Sequence, residues 1–129
     1  MESGVFGEHE IVRVAMAGSR SFGDYELFRK DADLILKVFK KMQVVSGGAK
    51  GTDGLASRWC EERGVEIEEK IPNYEAHSDK IAPLLRNTQI VDAVDCGVVW
   101  WDGVSKGSLN VIVKFAKAKK PCLILSTKT

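Results

Sequence analysis

Apolar stretches of strand length alternate with stretches of helical periodicity along almost the whole chain. Few features restrict a fold so tightly, because such alternation argues for a parallel sheet with helices on both faces. An apolar run over residues 11–17 ends in Gly18 and reads as the first strand. Asp24 can cap a helix beginning at Tyr25, in which Phe28, Ala32, Ile35, Phe39 and Met42 share one face. Residues 43–46 form a short strand. Thr52 or Asp53 can cap the next helix, which turns Leu55, Ala56, Trp59 and Cys60 inward and stops near Gly64. Residues 65–71 alternate apolar and charged, as a half-exposed edge strand does. A helix is predicted over 83–94, with Pro83 at its first position and Leu84, Leu85, Val91 and Val94 as its apolar face. "CGVVWW", 96–101, reads as a buried strand, 109–119 as a helix and "PCLILS" as the last strand.

Right-handed crossovers leave few ways to connect these elements. The expectation is a three-layer α/β Rossmann-like fold with a five-stranded parallel sheet in the order 3-2-1-4-5. Residues 1–10 read as a partly ordered leader and 11–129 as one domain. With 129 residues, 44% of them hydrophobic, the chain has enough material for a single core. A net charge of +1 gives no broad basic face for duplex nucleic acid. The three cysteines, Cys60, Cys96 and Cys122, are widely spaced, which suits free thiols in a reducing, cytoplasmic compartment. His9 and His77 are isolated, so no zinc site is expected. No apolar run is long enough to span a membrane, and "MESGVFGEHE" has neither the basic start nor the apolar core of a secretory signal.

In an open parallel sheet, ligands bind beyond the carboxyl ends of the strands where the strand order reverses. The turns predicted to lie there are "GSRSFGD", "SGGAKGTD" and "WDGVSKGS", which are also the most glycine-rich turns of the chain. Ser46, Gly47, Gly48 and Gly51 would let backbone amides approach an anion, and the helix that follows favours phosphate at its start. Lys50 adds a charge and Thr52 a hydroxyl. Ser105 to Ser108 repeats this logic. Gly18, Ser19 and Arg20 form a third wall, with Arg20 suited to a bidentate contact. Asp102 and Asp53 can accept hydrogen bonds from ribose hydroxyls or act as bases, although Asp53 also reads as a helix cap. A valine at Gly48 is then expected to abolish binding without unfolding the chain. Trp100 and Trp101 point to opposite sides of their strand, one into the core and the other over a base or a helix. Arg86 and Asn87 read equally well as site residues or as surface. The lysines at 114, 117, 119 and 120 read as a solvated face.

The motifs "AGSRSF", "VVSGGAKGTDGLASRW", "RN" and "WWDGVSKGS", in that order, resemble the YspA/YpsA-related branch of the SLOG superfamily over about residues 12–125. That superfamily includes the LOG phosphoribohydrolases and the DNA-processing protein DprA/Smf. Its common theme is a Rossmann-like pocket for nucleotides and nucleotide-derived ligands. The resemblance implies phosphate-binding roles for Gly47, Gly48, Gly51 and Thr52. It also implies site roles for Gly18, Ser19 and Arg20, for Arg86 and Asn87, and for Asp102, Gly103, Ser105 and Gly107. LOG enzymes carry a glutamate three residues after the motif threonine, needed for N-glycosidic cleavage. Laid on this turn, that position is Leu55, and one extra residue separates the second and third glycines.

Three functions follow. The first is binding, sensing or sequestering of a nucleotide-type ligand such as ADP-ribose or an NAD derivative, in a bacterial or phage setting. The second is hydrolysis of an N-glycosidic or phosphate bond, with Asp53 or Asp102 as the catalytic carboxylate and Arg20 and Lys50 on the phosphate. The third is a single-stranded DNA-binding module by analogy with DprA, against which stands the lack of aromatics interleaved with basic residues. No resident cofactor or metal is called for. The resemblance also admits a homo-oligomer, since relatives often share pockets between subunits.

Overall fold

A computed structural model describes residues 10–128. The leader expected at 1–10 therefore falls, but for Glu10, outside the described residues. The elements run β1 (Val12–Gly18), α1 (Tyr25–Phe39), β2 (Met42–Ser46), α2 (Thr52–Arg63), β3 (Ile67–Glu69), α3 (Ala82–Asp92), β4 (Cys96–Trp101), α4 (Lys106–Ala118) and β5 (Cys122–Ser126). The five strands form one sheet in the order β3-β2-β1-β4-β5, with every neighbouring pair parallel. This is the expected architecture. β1 lies at the centre and pairs with β2 through Val12–Met42 and with β4 through Val14–Cys96, so the order reverses between β1 and β4.

Side-chain alternation along the central strands sorts the core into two layers. Val12, Val14 and Met16 of β1 pack with Phe28 and Ala32 of α1 and with Ala56 and Trp59 of α2. Ala15 and Ala17 face the other way, onto Ile90 and Val91 of α3 and Val111 and Phe115 of α4. Trp100 is buried in the first layer, and its indole N–H donates to Asp31 Oδ2 at 3.1 Å. Trp101 packs in the second layer and donates to the Ser105 carbonyl at 3.0 Å. Ser105 is the residue that precedes α4. Cys60 and Cys96 are buried free thiols and Cys122 is half-buried. Burial pushes their pKa values up to about 12, 11 and 11. Among the described residues, no helix is long and apolar enough to cross a membrane.

Five local expectations are corrected. α1 ends at Phe39, and Met42 opens β2. Its period continued the helical face because Met42 reaches the same core layer from the strand. β3 keeps only three residues of the seven expected, and α4 starts at Lys106 rather than 109. The α2 cap is Gly51, with no side-chain capping bond, so Thr52 and Asp53 lie inside the helix. On α3, Leu84 and Leu85 are exposed at 42% and 40%, while Arg86 and Asn87 are buried. The inward face of this helix is rotated toward the polar pair, which the site explains.

Candidate functional site

A cavity of about 430 Å³ opens at the carboxyl ends of β1, β2 and β4, beside the start of α3. That volume is typical of small-molecule sites. Ser19 is its hub. The Ser19 amide donates to the Trp100 carbonyl at 2.9 Å, and its own carbonyl accepts from the Thr52 amide at 3.3 Å and the Thr52 hydroxyl at 2.9 Å. Its hydroxyl accepts from the Asp102 amide at 3.1 Å and meets Ser105 Oγ at 3.1 Å. One buried serine thus ties the β1 turn to both other turns. Gly18 permits this approach, since a Cβ there would lie 2.6 Å from Thr52 Oγ1. Arg20 is exposed at the rim.

The β2 turn is closed on itself. The Ala49 amide donates to Asp53 Oδ2 at 3.0 Å, and the Gly47 backbone bonds to the same carboxylate. The Gly48 amide faces Ser46 Oγ at 3.4 Å. Arg86 Nη1 donates to the Gly47 carbonyl at 2.6 Å, and Nε to Asn87 Oδ1 at 3.0 Å. Asn87 passes the chain of bonds to Asn110 of α4 at 3.1 Å. Gly47 has to lack a side chain, because a Cβ would sit 2.7 Å from Arg86 Cζ and 3.0 Å from Asp53 Oδ2. Burial lowers the pKa of Arg86, opposed by the charge of Asp53.

The β4 turn is different. Asp102 Oδ1 accepts from the amides of Val104 (2.9 Å) and Ser105 (2.8 Å), and these bonds lower its pKa. Ser105 caps α4 without a side-chain bond to the helix amides, and its hydroxyl instead donates to Ser108 Oγ at 2.8 Å. First-turn amides of a helix have no partner within it. At α4 the Ser105 amide is taken by Asp102, and those of Lys106, Gly107 and Ser108 gain no partner among the described residues. A Cβ at Gly107 would meet nothing within 4 Å. α4 therefore presents its positive end to the cavity, whereas at the start of α2 the Thr52 amide is taken by the Ser19 carbonyl.

Twelve of the sequence-predicted positions line the cavity: Gly18, Ser19 and Arg20; Gly47, Lys50 and Asp53; Arg86 and Asn87; Asp102, Ser105, Gly107 and Ser108. Ser46, Gly48, Gly51, Thr52 and Gly103 do not. Gly48 is exposed, and a Cβ there would run into the Ile71 side chain instead of the cavity. Sequence reasoning missed the apolar wall of Pro83, Ile90 and Val111, as well as Asn110. Asn110 lies three residues after Gly107, one helical turn on, and that spacing was its available signal. Among the described residues, no three His, Cys, Asp or Glu side chains gather as a metal site.

Asp53 is 8% exposed. Desolvation raises its pKa above 3.8, outweighing the Ala49 bond, the Arg86 charge and the Gly47 bond. A raised native pKa contributes stability that is complete below 3.8 and is lost as pH rises through the native value. Asp53→Asn is therefore expected to melt higher than the wild type at pH 7, the gap closing as pH falls toward 3.8. Thermal melts at both pH values check this. A gap independent of pH would remove desolvation as the cause.

A parallel sheet with a cavity at its switch point, beside the start of α4, defines a Rossmann-like α/β domain. The chain belongs to the YspA, cpYpsA-related SLOG family, whose model matches residues 12–77. The match takes in the β1 and β2 turns, whereas Arg86, Asn87 and the β4 turn lie beyond it. The fold is similar to DNA processing protein A (DprA) from Streptococcus pneumoniae, with a TM-score of 0.72 and 18% sequence identity. The alignment covers 88% of this chain and 50% of that one, so the chain spans about half of that protein's length. No curated protein matches the sequence significantly.

Proposed function

We propose that this domain binds a phosphate-bearing, nucleotide-type small molecule, with the phosphate on the N-terminus of α4. The observation that carries this reading is the first turn of α4, where the amides of Lys106, Gly107 and Ser108 have no partner among the described residues and Gly107 and Ser108 line the cavity. Charge-assisted bonds from pre-oriented amides are the strong kind, and a helix start adds its partial charge. A hydroxyl chain from Ser19 through Ser105 to Ser108 supplies further polar groups. Arg20, Lys50 and Lys106 bring positive charge to this end of the sheet. The apolar wall of Pro83, Ile90 and Val111 suits the less polar part of such a ligand. Membership of the SLOG family supports nucleotide-related ligands in general.

Hydrolysis is a second reading, favoured by one observation: a buried carboxylate with a raised pKa, Asp53, lines the cavity. Asp102 suits that role less, since the Val104 and Ser105 amides hold its pKa below the ordinary carboxylate value.

The test is a thermal-shift panel of inorganic phosphate, AMP, ADP-ribose, NAD, a cyclic nucleotide and a single-stranded oligonucleotide, each followed by product analysis. A ligand at 100 times its Kd adds about 2.7 kcal/mol, which raises the midpoint by several degrees. Phosphate-bearing ligands are expected to shift the wild type, and Ser108→Ala to weaken them about tenfold. No shift with any of them overturns the proposal. A product would favour hydrolysis, and a shift confined to the oligonucleotide would favour DNA binding.

A further inference from the structure

A turn that gathers backbone amides is a ready anion site. In the β2 turn that site is already filled by the chain's own carboxylate, Asp53. The cavity wall there offers an acceptor, so a phosphate is repelled where the glycines had suggested it would sit. An ionised carboxylate accepts at roughly four positions. The amide of Ala49 and the backbone of Gly47 use two, and the residue lines the cavity.

The Arg86 guanidinium lies across Gly47 from this carboxylate. It is 8% exposed and lines the same cavity. Its Nε and Nη1 are engaged by Asn87 and Gly47, while Nη2 has no protein partner. Every buried side-chain nitrogen and oxygen among the described residues is hydrogen-bonded, so Nη2 is open to solvent space. A carboxylate and a guanidinium side by side suit a group that donates and accepts at once. A hydroxyl does both, whereas a phosphate satisfies only the guanidinium.

Resting on the phosphate reading above, we infer that Asp53 and Arg86 recognise the ribose hydroxyls of the ligand, so that the site selects ribonucleotides over deoxyribonucleotides.

The test measures calorimetric affinities of AMP against 2′-deoxy-AMP and 3′-deoxy-AMP, of ribose 5-phosphate against 2-deoxyribose 5-phosphate, and of inorganic phosphate. In the wild type at least one hydroxyl is expected to be worth about tenfold or more in affinity, the cost of leaving a buried charged group unpaired. Asp53→Asn should shrink that preference without weakening inorganic phosphate. Equal affinities within every wild-type pair, with phosphate still bound, overturn this inference alone and leave the α4 site standing. A loss in Asp53→Asn that is equal for both members of each pair assigns the carboxylate elsewhere on the ligand and also overturns it. If no probe binds, phosphate included, both proposals fall. The wild-type comparison needs no variant, so misfolding of Asp53→Asn would not spare the proposal.

Discussion

Gly51→Ala is expected to lower the melting temperature by about 10 °C or more. Gly51 holds φ 70 and ψ −125, a conformation open to glycine and strained for any other residue. Such strain costs about 1–3 kcal/mol. A Cβ there would also overlap the Arg20 carbonyl, 2.5 Å from its carbon. Backbone gives way less easily than a side-chain tip, and forcing such a contact costs about 1–3 kcal/mol more. Together these remove a large share of the ~5–15 kcal/mol that holds a domain folded. Each kcal/mol moves the midpoint by roughly 2–8 °C at this size. Gly103→Ala is the control: it has φ 86 and nothing within 4 Å of a Cβ, so it loses only the strain. A Gly51→Ala variant that melts with the control would show that the β1 turn does not seal α2.

That contrast marks where the sequence was legible. Alternating periods and strand-length apolar runs dictate layers, and right-handed crossovers left few sheet orders, of which the Rossmann-like one expected is the one observed. Boundaries failed where a residue on one element shared a core with another, as Met42 does with the face of α1. The α3 face failed because Leu84 and Leu85 look like core residues in sequence. In the structure both stay exposed, Leu84 at the cavity, while Arg86 and Asn87 are buried with support from Gly47 and Asn110. Hydrophobic pattern alone cannot foresee a buried polar network, because its members are satisfied by partners distant in the chain.

The location of the candidate site was legible from topology, and its division of labour was not. A glycine in a sequence does not say whether its amide is free. In the β2 turn the donors meet Asp53, and the start of α2 meets Ser19. Asp53 looked like a cap and serves as the internal anion of the turn. The lone carboxylate in "GTDG" was the visible signal, although only the fold shows that its chain bends back onto Ala49.

The glycine to block is therefore Gly107. In the sequence the position of choice is Gly48, but a valine there would strain a residue at φ 67 and press on Ile71 outside the cavity. Gly107→Val is expected to leave the fold intact and weaken phosphate-bearing ligands about tenfold to a hundredfold. Its Cβ would enter open space, and the helix start tolerates valine at a cost below about 1 kcal/mol. The added methyls would stand where the anion has to meet the amides of Lys106, Gly107 and Ser108, displacing charge-assisted bonds of about 1.5–3 kcal/mol. Calorimetry with AMP and inorganic phosphate, alongside a thermal melt, reads both halves. Full affinity in a well-folded Gly107→Val would move the phosphate away from α4 and return the question to the rim residues Arg20 and Lys50.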